Sequence, residues 1–168
     1  MIDVKVQFNR HFKDANKTKK RYRIMKGSAG SGKSVNVAQD YILKLSDLRY
    51  KGANLLVVRK VDVSNRNSTF AELKGAIYRI YGHRYPAYWK VNESTMTMKC
   101  LITGNEIIFR GVQHENDREK LKSINFAQGK LTWIWIEEAT ELHESDIDIL
   151  DDRLRGILDN PNLYYQIT

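Results

Sequence analysis

The chain has 168 residues, a formal charge of +8 and an isoelectric point near 9.5, a size that suits one α/β domain with a sizeable core and about five strands. The basic balance favours a polyanionic partner, and a single cysteine, Cys100, excludes an internal disulfide and argues against a cysteine-built metal site. No apolar run approaches the roughly 20 residues of a membrane span and the N-terminus lacks a signal-peptide core, so the expectation is a soluble protein of a reducing cytoplasm, with no membrane partner.

The charge is uneven along the chain. Residues 1–26 hold nine Lys or Arg against Asp3 and Asp14, whereas residues 137–168 hold nine Asp or Glu against Arg153 and Arg155. Residues 4–8 alternate apolar and polar side chains. The basic stretch over 17–23 fits a DNA contact, a solvated loop or a platform for a nucleotide base. Phe8, Phe12 and Tyr22 lie just upstream of a glycine-rich loop and are candidates to stack on adenine, with simple packing as the other reading.

Residues 22–25 read as a short strand. The next stretch, Gly27-Ser28-Ala29-Gly30-Ser31-Gly32-Lys33-Ser34, fits G-x-x-x-x-G-K-[ST]. Residues 33–49 then carry Val37, Tyr41, Leu45 and Leu48 at helical spacing. Strand, glycine loop and helix are the context that a phosphate-binding loop requires. Glycines let backbone N–H groups turn inward around a phosphate, and the helix N-terminus adds partial positive charge. Lys33 is expected to reach the outer phosphates of ATP and the Ser34 hydroxyl to ligate Mg²⁺.

Beyond Gly52, residues 55–58 are a continuous apolar run, as in a strand covered on both faces of a parallel sheet. Arg59 and Lys60 follow at its carboxyl end, the edge where open α/β sheets bind ligands. Arg59 there could face phosphate, DNA or solvent. Residues 64–69 are polar, and 70–81 read as a helix with Leu73, Ile77 and Ile80 inward, stopped by Gly82. Tyr85, Pro86, Tyr88 and Trp89 mark an aromatic loop that either stacks nucleobases or covers the sheet. Residues 95–102 and 106–110 look like a hairpin joined by Thr103-Gly104-Asn105. The polar stretch 114–126, with Leu121 and Ile124 buried at most, fits a short helix and a loop. Residues 131–136 are the most apolar strand and end in Glu137-Glu138. A helix over 144–158 with Ile147, Leu150, Leu154 and Ile157 inward, a break at Asn160-Pro161-Asn162 and a last strand over 163–168 complete the chain.

Two carboxylates at a strand end, about a hundred residues after a phosphate loop, suit nucleotide hydrolysis. Glu137 takes the place behind Mg²⁺ and Glu138 polarises the attacking water. The strand and helix between the motifs point to the class in which an extra strand separates the loop strand from the carboxylate strand. The fold expected is therefore α/β, a P-loop NTPase of RecA-like type with a mostly parallel sheet flanked by helices and an inserted β-hairpin. A helicase would need a second RecA-like domain, and a nucleotide kinase a lid cluster of arginines. A non-enzymatic nucleotide-binding module would lack the water-activating acid.

The order Gly30-Ser31-Gly32-Lys33-Ser34, Val57-Val58-Arg59-Lys60, Lys120-Leu121-Lys122-Ser123-Ile124 and Trp135-Ile136-Glu137-Glu138-Ala139-Thr140-Glu141-Leu142 resembles the ATPase domain of tailed-phage large terminase subunits. It is most similar to the PBSX-type prophage group, whose carboxylate motif reads Glu-Glu-Ala-Thr-Glu. The resemblance implies an Mg²⁺-dependent, ATP-driven motor that threads double-stranded DNA into a procapsid in the host cytoplasm. It also implies a portal protein and a small terminase subunit as partners, and a homo-oligomeric ring when assembled, with a monomer in isolation. Lys33 and Ser34 would hold phosphate and Mg²⁺, and Glu138 would activate water. Many relatives place an arginine that acts across the subunit interface where this chain has Lys122, with Arg118 four residues upstream as the other candidate. The family's coupling motif, later ATPase strands and RNase H-like nuclease domain do not appear before Thr168. The expectation is one P-loop ATPase domain over 1–168, truncated relative to the family and without nuclease activity.

Overall fold

The computed structural model describes residues 6–168. Its sheet is organised around β1 (Ala53–Arg59), whose first six residues are all buried. Such a strand needs neighbours on both edges and cover on both faces. It pairs in parallel with β4 (Glu106–Gly111) on one side and β5 (Lys130–Ile136) on the other. The full order is β2 (Trp89–Asn92), β3 (Thr97–Cys100), β4, β1, β5, β6 (Gln166–Ile167), with β3 antiparallel to both β2 and β4. This is the mostly parallel α/β sheet with an added hairpin that the sequence predicts.

Alternation along the strands builds two cores. Leu55, Val57, Trp133 and Trp135 face α2 (Lys33–Ser46) and α4 (Ala71–Tyr81), meeting Val37, Tyr41, Leu45, Leu73 and Ile77. Leu56, Val58, Ile134 and Ile136 face α5 (Glu115–Lys122) and α6 (Glu144–Arg153), meeting Leu121 and Leu150. The remaining helices, α1 (Lys13–Lys17) and α3 (Asp62–Asn65), are short. A π-helical turn, Arg66–Phe70, joins α3 to α4, so the polar stretch ahead of the expected helix is itself helical. Gly82 ends α4 with φ 58°.

Several expectations change in detail. Residues 22–25 form no regular strand: Tyr22 makes one parallel bridge to Ile167, and residues 23–28 run without secondary structure into the loop. Of the alternating stretch, Val4 and Lys5 lie outside the described residues, and residues 6–9 form neither helix nor strand. The first long helix stops at Ser46, where Asp47 instead accepts from Arg49 N at 2.9 Å and starts a 3-10 turn, leaving Leu48 exposed. Trp89, read as part of a loop, opens strand β2 and is buried, while Tyr81 and Tyr88 stack at 5.0 Å, so this aromatic cluster covers the sheet. Helix α6 ends at Arg153 and Ile157 is 80% exposed, not inward. The last strand shrinks to Gln166–Ile167.

One topological expectation is met by a different piece of chain. The strand that separates the loop segment from the carboxylate strand is β6, which pairs with β5 at Trp133↔Gln166 and Ile134↔Ile167 and is bridged on its other edge by Tyr22.

Candidate active site

The phosphate loop is held by what flanks it. Arg23, four residues ahead of Gly27, is 3% exposed; its N–H donates to Ile167 O at 2.8 Å. Its side chain reaches Asp40 of α2 at 2.5 Å and Thr168 Oγ1 at 3.0 Å. Asp40 also takes Lys44 Nζ at 2.8 Å. Burial pulls the Lys44 ammonium below its ordinary pKa, with Asp40 opposing and Arg23 adding to the shift. The loop turns through Gly30 at φ 76° and Gly32 at φ 80°, the left-handed region where glycine carries no side-chain penalty. Gly32 is then the N-cap of α2, so the helix starts at Lys33 with its free N–H groups facing the loop.

Lys33 Nζ lies across the mouth of this loop, donating to Gly27 O at 2.6 Å, Ser28 O at 3.0 Å and Ser31 Oγ at 3.0 Å. All three acceptors are neutral. An anionic phosphate oxygen is a stronger acceptor for the same ammonium.

Strand β5 delivers the acids. Glu137 N donates to Val58 O at 3.1 Å, which extends the pairing of β5 with β1 by one residue past Ile136. The Glu137 carboxylate accepts from Ser34 Oγ at 2.6 Å and from Trp135 Nε1 at 2.9 Å. The first bond ties the loop helix to the carboxylate strand across 103 residues of sequence. Glu138 turns sharply out of the strand with φ 55° and ψ 54°. It is one of two non-glycine residues with positive φ among those described, a conformation costing about 1–2 kcal/mol that persists where the surroundings over-determine it. A cavity of about 450 Å³ beside these groups is lined by Gly27, Lys33, Ser34, Glu137, Glu138 and Thr168, among others. A second cavity of about 350 Å³ follows the loop itself and shares Lys33, Ser34 and both glutamates. The structure thus brings together every expected residue from Gly27 to Ser34 with Glu137 and Glu138.

The peripheral candidates divide between the loop and other partners. Phe12 lies against the loop's end, its ring edge 4.0 Å from where a Cβ on Gly32 would sit. Tyr22 instead points to α6, its hydroxyl donating to Asp151 Oδ1 at 2.7 Å, and lines neither loop cavity. Arg59 turns to Glu141 at 3.4 Å and Ser68 Oγ at 3.3 Å, away from the loop cavities. Lys122 is exposed and paired with Glu119 at 2.7 Å. Arg118 binds Asp146 through Nε and Nη2, both at 2.7 Å. Asp146 has no exposure and also takes Lys60 Nζ at 3.4 Å and His143 N at 3.1 Å. Burial alone would raise its pKa, but the His143 N–H and the two cations together hold it below the ordinary value. Sequence reasoning missed Asp146, whose helical position reads as an ordinary acidic first turn.

For a hard divalent cation the donor set fits. Among the described residues no group of three or more His, Cys, Asp or Glu converges. The Ser34–Glu137 oxygen pair beside a phosphate loop is the sparse protein share expected when Mg²⁺ takes its remaining ligands from phosphate and water. A glycine loop capping a helix, a parallel sheet with an interposed strand and a double-carboxylate strand end define this chain as a P-loop NTPase of the additional-strand class.

The relatives narrow the class. A family model described as phage terminase large subunit matches residues 19–168. The large terminase subunit of Bacillus phage SPP1 is 32% identical over 151 residues, covering 86% of this chain and 33% of that protein. The chain belongs to the phage terminase large subunit family, and spans about a third of the length of the curated relative it matches. Among solved structures, the large terminase from a thermophilic bacteriophage superposes with a TM-score of 0.62 at 15% identity, covering 94% of this chain and 35% of that one. The same terminase in complex with ADP gives 0.59 at 17% identity, covering 84% and 32%. The Phi-28 gp11 DNA packaging motor gives 0.54 at 14% identity, covering 93% and 48%. These likenesses establish the shared fold.

Proposed function

We propose that this chain is an Mg²⁺-dependent ATPase whose hydrolysis drives double-stranded DNA into a procapsid. The observation that carries the chemistry is the 2.6 Å bond from Ser34 Oγ to Glu137, with Glu138 turned out beside it. Family membership, and the ADP complex of the thermophilic phage terminase, support the choice of nucleotide and of work.

ATP and Mg²⁺, when bound, supply the scissile phosphoanhydride and neutralise charge on its oxygens. The chain's own residues do the rest. Backbone N–H groups of the loop and the start of α2 hold the phosphates, and Lys33 exchanges neutral acceptors for anionic ones. Ser34 and Glu137 hold the cation. Glu138 orients the attacking water and takes its proton at the carboxylate. Phe12, whose ring edge lies beside Gly32, meets the base end of the nucleotide in this reading. The exposed Lys13, Lys17, Lys19 and Lys20 of the N-terminal region meet the DNA phosphates, whereas Arg21 and Arg23 are taken by Asp151 and Asp40. The working assembly is read as a homo-oligomeric ring on a portal protein, with a small subunit, in the host cytoplasm.

Phosphate release by the wild type and Lys33→Ala, with and without double-stranded DNA, tests this reading. Turnover should depend on Lys33 and rise with DNA. DNA binding should weaken steeply between low and moderate salt. Turnover equal in the two proteins, or DNA binding indifferent to salt, would contradict the proposal.

A further inference from the structure

The segment that carries Glu138 is pinned at two points after the acid by adjacent residues at the end of β1. Arg59 pairs with Glu141 at 3.4 Å, and Lys60 pairs with Asp146 at 3.4 Å. Within the segment, Glu141 N donates to Glu138 O at 2.9 Å and Leu142 N to Ala139 O at 3.2 Å, so residues 138–142 form a tight turn. The left-handed backbone at Glu138 must be over-determined by these contacts, because nothing intrinsic to a glutamate favours it. The far anchor is the stronger one. Asp146 is fully buried at the first turn of α6, caps His143 N, and is gripped at 2.7 Å by the Arg118 guanidinium of α5.

We propose that Arg118 is a positioning residue for Glu138, acting within its own chain through Asp146, rather than a cation that reaches a neighbouring subunit's nucleotide. The geometry explains why arginine is used. Arg118 Nε donates to one carboxylate oxygen, with the positive Nη2 also 2.7 Å from it, while the partner oxygen takes Lys60 and the backbone, so both oxygens of a buried charge are satisfied. Helix α5 precedes β5 and α6 follows it, so the bond locks the segment entering the carboxylate strand to the segment leaving it. The outer side of α5 carries exposed Lys120 and Lys122, so a contact made there is transmitted through Arg118 to the turn that aims the acid.

This inference rests on the hydrolytic reading, and its test separates the two. Phosphate release and binding of a fluorescent ATP analogue are measured for wild type, Glu138→Gln, Arg118→Ala, Arg118→Lys and the double variant Arg118→Leu/Asp146→Leu. The double variant keeps the site filled with apolar side chains and stays folded if the bare charge in Arg118→Ala proves too costly. Arg118→Ala and the double variant should each lose about tenfold in kcat, since a displacement of a catalytic group by about an ångström costs on that order or more. Nucleotide affinity should stay within twofold of wild type, and Arg118→Lys should recover part of the rate.

Mixing Arg118→Ala with Glu138→Gln protein decides between cis and trans. A positioning residue gives no recovery, because neither chain holds both groups. Recovery of turnover in the mixture would overturn the proposal. So would turnover within twofold of wild type in Arg118→Ala, or a loss of nucleotide binding equal to the loss of rate. Wild type without turnover would sink the proposed function and this inference with it; wild-type turnover abolished by Glu138→Gln but kept by Arg118→Ala sinks only the positioning role.

Discussion

Replacing Asp40 by asparagine isolates the physics that holds the phosphate loop in place. The change is nearly isosteric, so it removes a charge and little else. It leaves two cations facing one another, Arg23 with 1% side-chain exposure and Lys44 with 11%. Breaking a buried pair by removing one partner costs about 3–5 kcal/mol, because the remaining charge stays desolvated. Lys44 softens this. Its pKa is already lowered, chiefly by burial, and it keeps a second acceptor in Asn16 O at 3.3 Å, so the low end applies, about 3 kcal/mol. For a chain of this size that corresponds to a fall in Tm of about 6–12 °C. Urea unfolding followed by tryptophan fluorescence reads it directly, since Trp89, Trp133 and Trp135 are all buried. Nucleotide affinity should fall with stability, because Arg23 also ties the entry of the loop to Thr168. A loss below about 1 kcal/mol, the range of exposed pairs, would mean that Asp40 carries no more than a solvated ion pair.

Two alanine substitutions separate backbone strain from collision. Gly30 and Gly129 have similar φ, 76° and 69°, but a Cβ at Gly30 meets nothing within 4 Å whereas one at Gly129 would lie 1.9 Å from Gly52 O. Gly30→Ala is therefore expected to cost about 1–2 kcal/mol, and Gly129→Ala more than about 4 kcal/mol; equal unfolding midpoints would refute the assignment. Acid should unfold the chain in a defined window. Asp151, held by Arg21, and Asp146 both sit below the ordinary aspartate value of 3.8 in the folded chain, so the unfolded chain takes up protons first as pH falls. Their contribution is full above 3.8 and is lost as pH drops through the window below it. The urea midpoint should be level from about pH 7 to about pH 5 and then fall, with a shallower fall in Asp146→Asn. A midpoint indifferent to acid would contradict this.

What the sequence reveals and what it conceals divide along a physical line. The apolar runs at residues 55–58 and 131–136 are short, rich in β-branched and aromatic side chains and bounded by turn residues, as strands covered twice are, and the glycine loop carries its own geometry, so the sheet centre and the candidate site are legible from local chemistry. The misreadings occur where a distant partner decides. Helix α6 carries apolar residues at helical spacing to Ile157, yet it stops at Arg153 because Arg21, 130 residues away, donates to Asp151 O and Leu154 O at 2.8 Å and takes up the terminal carbonyls. The last strand shortens because Trp133 Nε1 claims Tyr164 O at 3.1 Å. Trp89 looks like a loop aromatic until β3 supplies its ladder partner, Cys100. Arg118 and Asp146 carry no motif at all, and their meeting exists only once α5 and α6 lie side by side on the sheet.

In the proposed mechanism the loop and Glu137 bind the nucleotide while Glu138 performs the chemistry. The most direct test is the pair of ATP affinity and turnover measured on Glu138→Gln. Affinity should stay within about twofold of wild type and turnover should be at least about a hundredfold slower, the share of a positioned general base. Turnover close to wild type, or a loss of affinity matching the loss of rate, would contradict it.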